Sequence, residues 1–430
     1  MNFESVFLRK AVPADADRIM EIISDAKAQM KREGKNQWSD AYPALSDIDR
    51  DIQHKYGYVL CDGSAVLAYA AIVYTGDSAY QQIEGAWLNQ HPYWVIHRLA
   101  VGDGYKRQGV ASHFFELAEQ KALQHGITDL RVDTNYDNFY MQQLLKRGGY
   151  TYCGEIMNPN GQRMAYQKPL PLPQSSYWFL FQKGSVLMEK KADGTYHIPF
   201  APIPPVILTG VNTVHEIPSL DEAKCYACRL EKEVELPESY ELCDLRASFD
   251  LLPLAEYKKA GHASQQLFWD DNTRFCSSCG SPTIHMGPIL KKCPCCGKSL
   301  YPPIMTAIMV LIQRGEDEIL MVHAHNFKGN YYGLIAGFLE PGETLEECVE
   351  REVYEETHLK IKNLRYLRSQ SWPYPSGMMV GFVADYASGE LKLQDDELGA
   401  GGFFHRDHLP DTPKKLSLAR QMIEWWKAQK

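Results

Sequence analysis

The sequence lacks an apolar run long enough to span a membrane, and it lacks an excess of positive charge. Its longest apolar run, residues 305–312, has the length of a buried strand. The formal net charge of −9 argues against a broad electrostatic grip on DNA or RNA, although a local basic groove is compatible with it. The first five residues lack the basic and then apolar pattern of a signal peptide. We therefore expect a soluble, cytoplasmic protein that does not bind a membrane.

The composition argues against a disordered chain and against a disulfide scaffold. With 430 residues, 45% of them hydrophobic and 23% charged, the chain is long enough to form several domains with cores of their own. It has 11 cysteines, an odd number, in a sequence without an export signal. Five of these cysteines fall within residues 276–296, which indicates a metal site.

Strand-like and helix-like segments predict a multidomain protein of the α/β and α+β classes. Two regions alternate strands with helices, and the second of them ends in a predicted amphipathic helix over about 413–428. The segment Lys168–Pro173 is rich in proline and is interpreted as a stiff linker. The predicted domains are an α/β domain over 1–168, a strand-rich domain with a helical end over 169–270, a cysteine-rich segment over 271–302 and a second α/β domain over 303–430.

A carboxylate-rich helix is predicted in the last domain. Thr344 and Glu347 have the spacing of a capping box, so a helix should begin at residue 345 and extend to about 357. Spacings of three and four place three carboxylates on one helical face, at Glu352, Glu355 and Glu356. Crowded carboxylates favour a hard cation such as Mg²⁺ or Mn²⁺, which suits phosphate chemistry. A solvated acidic face is the alternative, but it leaves the preceding glycine loop unexplained.

The segment from Gly337 to Leu359 resembles the Nudix box, G-x5-E-x7-R-E-U-x-E-E-x-G-U, in which U is aliphatic. Every specified position matches except the second glycine, which is His358 here and is expected to close the helix in a left-handed conformation. The resemblance implies an α/β/α sandwich in which Glu352 helps to activate water and Arg351 pairs with Glu343. It implies a catalytic metal site formed by Glu352, Glu355, Glu356 and the carbonyl of Ala336.

The cysteine-rich segment has the spacing of a zinc ribbon. Two Cys-x-x-Cys knuckles separated by thirteen residues offer four thiolates to one tetrahedral, structural Zn²⁺, from Cys276, Cys279, Cys293 and Cys296. Cys295 lies inside the second knuckle and is interpreted as a bystander. A separate pair, Cys225 and Cys228, lies in a strand-like run and is interpreted as structural without metal. A second, weak zinc site there is the less favoured alternative.

A zinc ribbon directly before a Nudix box resembles the NADH pyrophosphatase branch of that superfamily. Members carry S-Q-P-W-P-F-P-x-S after the box, and residues 369–377 match it except at Ser371, Tyr374 and Gly377. The resemblance implies that Glu397 is a further metal ligand and that Tyr301 reaches the nicotinamide end across a homodimer. It implies substrate contacts from Gln370, Trp372 and Tyr374. The alternative is that the two aromatic rings only pack under a proline-rigid loop.

The first domain contains a strand, a loop and a helix start over residues 98–111. Unpaired backbone N–H groups at such a helix start can hold a pyrophosphate, Gly109 allows close approach, and Lys106 adds positive charge. The pattern resembles motif A of the GNAT acetyltransferases, with Lys106 in place of the usual Gln or Arg. The resemblance implies an α/β fold that binds acetyl-CoA through Arg107, Gln108, Gly109, Val110, Ala111 and Asn138.

The acid that would protonate the leaving thiolate is not evident in the first domain. Many GNAT enzymes use a tyrosine near position 145, where this chain has Leu145. His97 and Tyr140 are nearby alternatives, and chain position alone suggests an acceptor site near Trp38, Tyr42 and Asp47. The sequence does not indicate which amine is the acceptor. A domain that binds acetyl-CoA as a sensor, without transferring the acetyl group, is a second interpretation.

The resemblances together predict a multifunctional fusion enzyme. Its second half should hydrolyse the diphosphate of NADH or NAD⁺ to nicotinamide mononucleotide and AMP, and NAD-capped RNA is a further candidate substrate. Its first half should transfer an acetyl group from acetyl-CoA. The alternative is a Nudix hydrolase of another nucleoside diphosphate compound, such as ADP-ribose or CoA, joined to an acetyl-CoA sensor.

Overall fold

The computed structural model describes residues 2–35, 37–74, 76–159, 161–209, 213–230, 234–327, 329–394 and 396–429. The chain forms two compact units. The first comprises residues 1–256 and 273–301, and the second comprises residues 257–272 and 302–430. Within the described ranges, none of the helices has both the length and the apolar character that crossing a bilayer demands.

The first unit begins with an eight-stranded sheet and four α-helices. The strands are β1 Val6–Lys10, β2 Gly57–Asp62, β3 Ala65–Val73, β4 Ile83–Gly85, β5 Tyr93–Val101, β6 Asp129–Thr134, β7 Thr151–Asn158 and β8 Gly161–Pro169. The helices are α1 Ala16–Arg32, α2 Leu45–Gln53, α3 Val110–Gln124 and α4 Phe139–Arg147. The strand order is β1-β2-β3-β5-β6-β8-β7-β4, in which β5 and β6 are parallel and the other pairs are antiparallel.

Helices cover both faces of this sheet because its central strands are apolar on both sides. Along β2, Tyr58 and Leu60 belong to one core, and Val59 and Cys61 belong to the other. The first core includes residues of α3 and α4, and the second includes residues of α1 and α2. The result is the three-layer arrangement that alternating strands and helices predict.

The two parallel strands separate part of the way along their length. The β5–β6 register runs from Tyr93 opposite Asp129 to Ile96 opposite Val132. Both strands continue beyond this point, β5 to Val101 and β6 to Thr134. The next residues of β5 therefore line an opening between the strands instead of a continuous ladder.

The first unit also contains two smaller sheets. The seven strands of the larger one are β9 Ser176–Gln182, β10 Ser185–Lys190, β11 Tyr196–His197, β12 Phe200–Ala201, β13 Val214–Leu220, β14 Ala223–Arg229 and β15 Tyr240–Asp244. Its core includes buried Trp178 and Cys228. The smaller sheet is formed by β16 Ile284–Gly287, β17 Leu290–Lys292 and β18 Ser299–Leu300. Helix α5, Leu254–Asn272, has its first residues in this unit and continues into the second.

The second unit contains a six-stranded mixed sheet with a helix on each face. Its strands are β19 Met305–Arg314, β20 Glu318–Ala324, β21 Ile335–Phe338, β22 Lys360–Trp372, β23 Gly377–Ser388 and β24 Leu398–His405. Its helices besides α5 are α6 Leu345–Thr357 and α7 Leu418–Lys427. Val349 and Val353 of α6 pack in one core, and Met422 and Trp426 of α7 pack in the other. The β19–β23 pair is parallel.

The fold class predicted from the sequence is confirmed. Helix α6 has the predicted bounds, whereas the last helix begins at Leu418 and not near residue 413. Ser417 accepts a hydrogen bond from the N–H of Arg420 and caps α7, so the preceding residues lie outside the helix. The predicted linker also begins later than expected. Lys168 and Pro169 end β8, and the N–H of Leu170 still donates to the carbonyl of Thr128 at 2.8 Å.

Candidate functional site

Helix α6 begins and ends through local hydrogen bonds. The Thr344 hydroxyl accepts from the N–H of Glu347, and the Glu347 carboxylate accepts from the N–H of Thr344 at 2.8 Å. At the other end His358 adopts φ 58° and ψ 15°, and its N–H donates to the carbonyl of Tyr354. The histidine therefore closes the helix in the left-handed conformation expected for the glycine it replaces. These caps set the register that gives three carboxylates a common face.

A glycine beneath the helix makes room for the first of these carboxylates. A Cβ atom placed on Gly337 would lie 1.9 Å from Cδ of Glu352. No other residue at position 337 is compatible with this position of Glu352. Gly337 follows Ala336 in β21, so the strand that carries the predicted carbonyl ligand also supports the Glu352 side chain.

Arg351 ties the loop before α6 to the carboxylates. Its Nε donates to Glu343 Oε1 at 2.5 Å, and its Nη2 donates to Glu343 Oε2 at 3.0 Å. Its Nη1 donates to Glu352 at 2.9 Å and to Glu355 at 3.0 Å. This hydrogen bonding to Arg351 holds the pKa of Glu343 at about 2. The predicted Arg351–Glu343 pair is thus present, and one guanidinium orients three carboxylates.

The negative charges of the carboxylates on α6 and of Glu397 repel one another. Burial, followed by the charges of Glu352, Glu397 and Glu355, raises the pKa of Glu356 to about 8. Burial also raises the pKa of Glu352, to which the charges of Glu355 and Glu397 add. Hard oxygen donors in this number fit a divalent cation, which would relieve the repulsion between them. The predicted ligands on α6 therefore lie close enough to Glu397, directly before β24, for their charges to act on one another.

The predicted nicotinamide motif forms the turn between β22 and β23. The rings of Trp372 and Tyr374 meet edge to face, with centroids 5.0 Å apart. Gln370 contacts a different part of the unit. Its Nε2 donates to the carbonyl of Leu416, which precedes α7, at 2.9 Å. Tyr301 follows β18 in the first unit, and 62% of its surface is exposed.

The four knuckle cysteines are brought together in the first unit. The sulfur atoms of Cys276 and Cys296 lie 3.6 Å apart, and those of Cys279 and Cys293 lie 3.4 Å apart. All four lie within 4.8 Å of one another. Thiolates around a tetrahedral zinc ion at about 2.3 Å are separated by roughly 3.8 Å, so this cluster fits such an ion. Cys295 is exposed and lies outside the cluster.

The backbone prepares two of these sulfur atoms for ligation. The N–H of Ser278 lies 3.4 Å from the sulfur of Cys276, and backbone hydrogen bonding lowers the pKa of the Cys276 thiol. Hydrogen bonding from the N–H of Ser281 lowers the pKa of Cys279 to about 6. Thiolate is the form that binds a metal ion. Cys225 and Cys228 are buried in β14, in agreement with their predicted strand.

The opening between β5 and β6 is a polar cavity in the first domain. Its lining includes His97 and Arg98 of β5, Asp133 of β6, Asn138 before α4 and Arg163 of β8. Trp38 and Tyr42, which the sequence suggests for an acceptor site, also line it. Asp47 does not belong to this lining. Its carboxylate accepts from the N–H of Ala44 at 2.9 Å and caps α2.

His97 lies between two carboxylates at the edge of this cavity. Its Nε2 is 3.2 Å from Asp77, and its Nδ1 is 3.5 Å from Asp133, which also accepts from the Tyr80 hydroxyl at 2.7 Å. Burial alone would lower the pKa of His97, but hydrogen bonding to Asp133 and Asp77 raises it to about 9. His97 is therefore an imidazolium near neutral pH. The sequence named His97 but missed its partners, and only the position of Asp133 at the end of a parallel strand could have indicated one.

Arg98 forms a second buried group beside His97. Its Nη2 donates to Asp51 at 2.5 Å and its Nε donates to the same carboxylate at 3.0 Å. Its Nη1 donates to the Tyr42 hydroxyl at 2.9 Å, and Tyr69 also donates to Asp51 at 2.6 Å. This network orders the wall of the cavity without leaving Arg98 as a free cation.

The predicted acetyl-CoA loop has the geometry of an open helix start. Gly109 is the N-cap of α3, with φ 86°, and no side chain caps the helix. Arg107 also has a positive φ of 61°. Lys106 donates to Gln29 of α1 at 2.6 Å and forms an ion pair with Asp103, so its positive charge is partly neutralised within the domain. The backbone N–H groups of the first turn can donate hydrogen bonds to an anion.

The other residues considered for acetyl transfer lie in different environments. Leu145 is 1% exposed and belongs to the core, so nothing at that position can supply a proton. Tyr140 is 63% exposed, with the ammonium of Lys35 4.4 Å from its ring centroid. Asn138 accepts from the N–H of Met141 and donates to Gln37 at 2.7 Å. His97 is the one of the two predicted alternatives that lines the cavity.

Three family models match the chain. A model described as the NUDIX domain matches residues 303–426, one described as the acetyltransferase (GNAT) family matches residues 18–150, and one described as the NADH pyrophosphatase-like rudimentary NUDIX domain matches residues 175–269. Two solved structures are also similar. A GNAT-family acetyltransferase from Streptococcus agalactiae is 34% identical and covers 40% of this chain and 99% of its own, with a TM-score of 0.37. A NUDIX hydrolase from Nitrosomonas europaea is 20% identical and covers 36% of this chain and 92% of its own, with a TM-score of 0.32.

Curated relatives match the second half of the chain. A protein of Chromobacterium violaceum described as NAD-capped RNA hydrolase NudC is 41% identical over 180 residues, which are 42% of this chain and 68% of that protein. A protein of Pseudomonas fluorescens with the same description is 38% identical over 220 residues, 50% of this chain and 78% of that protein. A third, from Pseudomonas syringae pv. tomato and with the same description, is 42% identical over 177 residues, which are 41% of this chain and 63% of that protein.

Proposed function

We propose, because the chain belongs to the NudC family of Nudix hydrolases and carries a GNAT-family acetyltransferase domain, that it joins two activities. The second unit would hydrolyse the diphosphate of NADH or NAD⁺ to nicotinamide mononucleotide, reduced or oxidised, and AMP. The observation that carries this proposal is the group of carboxylates at α6. Arg351 donates hydrogen bonds to Glu343, Glu352 and Glu355. The Glu352 carboxylate occupies the space that a side chain at Gly337 would fill.

The residues present fit a Mg²⁺ or Mn²⁺ ion. Such an ion would be held by Glu352, Glu355, Glu356, Glu397 and the carbonyl of Ala336, and when bound it supplies charge neutralisation and a more acidic water. In the reaction, the oxygen of a water molecule attacks one phosphorus atom and the bond from that phosphorus to the bridging oxygen breaks. Two phosphate monoesters result, and the proton lost by the water is released.

The chain's own carboxylates have distinct parts in this reaction. Glu352 is placed over Gly337 and is the proposed group that accepts a proton from the attacking water. Arg351 and Glu343 keep the loop and the helix in one arrangement, which preserves the position of the carboxylates during the reaction. Trp372 and Tyr374 offer aromatic faces for the nicotinamide end.

Product analysis by mass spectrometry tests the hydrolase. NADH, NAD⁺ and a short NAD-capped RNA are incubated with Mg²⁺ or Mn²⁺. We expect nicotinamide mononucleotide and AMP from the free dinucleotides, and a loss of at least about 100-fold in rate for Glu356→Gln. Glu350→Gln, on the same helix but exposed, should keep its rate within about two-fold. Cleavage of ADP-ribose or CoA without cleavage of any nicotinamide compound would instead support the alternative hydrolase.

Capped RNA is the finer alternative for the same site. The names of the NudC relatives support it. The net charge of −9 favours the free dinucleotide, since RNA bodies are bound mainly through positive charge. Comparing kcat/KM for NADH and for the capped RNA ranks the two substrates.

The first domain is proposed to transfer an acetyl group from acetyl-CoA to an amine. The open start of α3 supports binding of the donor's pyrophosphate, and the polar cavity at His97 supports binding of an acceptor. Calorimetric binding of acetyl-CoA, followed by a panel of amines, tests the proposal. Binding without transfer to any amine would favour the sensor that the sequence left open.

Four further features are proposed for the whole chain. The four-cysteine cluster would hold a structural Zn²⁺. The limits 1–168, 169–270, 271–302 and 303–430 are retained as its domains. A homodimer is proposed in which exposed Tyr301 contributes to the partner's nicotinamide site, and light scattering that showed only monomer would contradict it. A cytoplasmic location is proposed because the cysteine ligands need a reducing compartment.

A further inference from the structure

One face of helix α5 lies against the predicted nicotinamide loop, both within the second unit. Tyr257, Gly261 and Gln265 are spaced by four residues, so their side-chain positions follow one another along the helix. We call these three residues the α5 stripe. The loop they meet is residues 371–377, which joins β22 to β23.

Each member of the α5 stripe contacts the loop. The hydroxyl oxygens of Tyr257 and Tyr374 lie 2.5 Å apart. A Cβ placed on Gly261 would lie 3.0 Å from Cγ of Pro373, so the helix backbone and the proline are in close contact. Gln265 makes two hydrogen bonds, which involve the carbonyl of Gly377 and the hydroxyl of Ser371, each at 3.2 Å.

The loop residues that differ from the nicotinamide motif are the ones that meet the stripe by hydrogen bonds. The motif has proline, phenylalanine and serine where this chain has Ser371, Tyr374 and Gly377. Neither proline nor phenylalanine has a hydroxyl, so the contacts of Ser371 and Tyr374 depend on these departures. At position 377 an added Cβ would lie 3.1 Å from the carbonyl oxygen of Met305 and 3.4 Å from that of Trp372, so glycine lets the turn close tightly.

We propose that the α5 stripe positions the loop for the nicotinamide end of the substrate, with Tyr257 and Gln265 as positioning residues. The inference rests on the proposed hydrolysis of NADH or NAD⁺. Tyr257 is 6% exposed and acts through Tyr374, whose ring packs edge to face on Trp372. Two of the three departures from the motif, Ser371 and Tyr374, are therefore matched to side chains of the helix.

The stripe should matter for one end of the substrate only. ADP-ribose carries the same diphosphate and adenosine as NADH but no nicotinamide. A displaced loop should weaken the binding of NADH and leave the binding of ADP-ribose unchanged, because α6 and its carboxylates hold the diphosphate. A loss of stability in the whole unit would instead affect both substrates equally.

Steady-state kinetics of the full chain with NADH and ADP-ribose test this inference. Tyr257→Phe should raise KM for NADH about five-fold, which is about 1 kcal/mol, with kcat within two-fold and ADP-ribose unaffected. Gln265→Leu should act in the same direction. Lys258→Gln, exposed on the same helix, is the matched control. Equal losses with both substrates, or no change in any variant, would overturn the inference.

A double-substitution cycle separates positioning from general damage. Tyr257→Phe and Tyr374→Phe each remove the same hydroxyl pair. The double variant should therefore lose less than the product of the two single losses. Multiplicative losses would contradict the pair as the source of the effect.

Equilibrium titration of NADH into the Glu356→Gln chain keeps the two proposals distinguishable. If the wild type does not cleave NADH, the proposed function fails. The stripe is still tested by comparing the Kd for NADH with and without Tyr257→Phe in that background. A parent chain that does not bind NADH would overturn the inference as well.

Discussion

The carboxylate site on α6 and the cavity around His97 are assembled in different ways. Apart from Glu397, the first takes its charged groups from residues 343–356, one loop and one helix. The second takes Asp77 from a loop, His97 from β5 and Asp133 from β6, which are brought together by the fold of the sheet. A site whose residues lie in one contiguous segment can be recognised as a sequence motif. A site whose residues come from different strands has no characteristic spacing in the sequence.

The cysteine cluster is a second locally encoded site, and its loss should have the largest effect. Cys279→Ser should reduce bound zinc from about one ion per chain to well below half, and it should destabilise the first unit, because structural zinc sites contribute of order 10 kcal/mol to folding. Elemental analysis and thermal unfolding measure both. Cys295→Ser should leave zinc content and unfolding temperature unchanged, and an equal loss in that variant would show that ligation differs from the proposed set.

Gly337→Ala should break the carboxylate site without touching a charged residue. The new Cβ would overlap the Glu352 carboxylate, which must move by more than 1 Å, and such displacement costs on the order of 100-fold in rate. Hydrolysis of NADH measures the effect. Gly402→Ala is the control, since a Cβ there meets Phe404 only at 3.9 Å. Full activity of Gly337→Ala would mean that Glu352 does not act from its observed position.

The His97 cluster makes the stability of the first domain depend on pH. His97 has a raised pKa of about 9, so its contribution is fully present below about pH 6.5 and is lost as the pH rises through 9. The expected loss is roughly 2 kcal/mol, with the partial exposure of the ring taken into account. The facing groups are Asp77, Asp133, Tyr80 and Arg98.

Thermal unfolding at pH 6.5 and pH 9.5 measures this dependence. His97→Asn should flatten the difference for the transition of the first domain. His54→Asn, which changes an exposed histidine after α2, should retain it. A pH dependence that persists in His97→Asn would assign it to other groups.

Gly109→Ala should give the smallest effect. The positive φ of Gly109 strains any other residue, although a Cβ there meets Phe3 only at 3.5 Å. We expect the Kd for acetyl-CoA to rise about five-fold, by roughly 1 kcal/mol. Calorimetry compares it with Gly104→Ala, in the same loop, where a Cβ meets nothing within 4 Å. Equal affinities in the two variants would argue against the α3 start as the acetyl-CoA site.

Much of the fold could be predicted because local patterns decided it. Helix α6 has its predicted bounds, and the region before residue 168 alternates strands with helices as predicted. The last helix was predicted to begin too early, because the hydrogen bond with which Ser417 caps its start depends on one side chain. The partners of His97 could not be predicted, since no spacing relates residue 77 to residue 133.

The sequence by itself determined the metal-binding residue types, the capped helix that carries three carboxylates and the two cysteine knuckles. Each of these depends on spacings of a few residues, and helical geometry converts such spacings directly into proximity. Only the tertiary structure decided which glycine makes room for Glu352, which carboxylates surround His97 and which face of α5 meets the loop at 371–377. These are contacts between elements far apart in the chain, and they are set by strand register and packing, which no local pattern encodes.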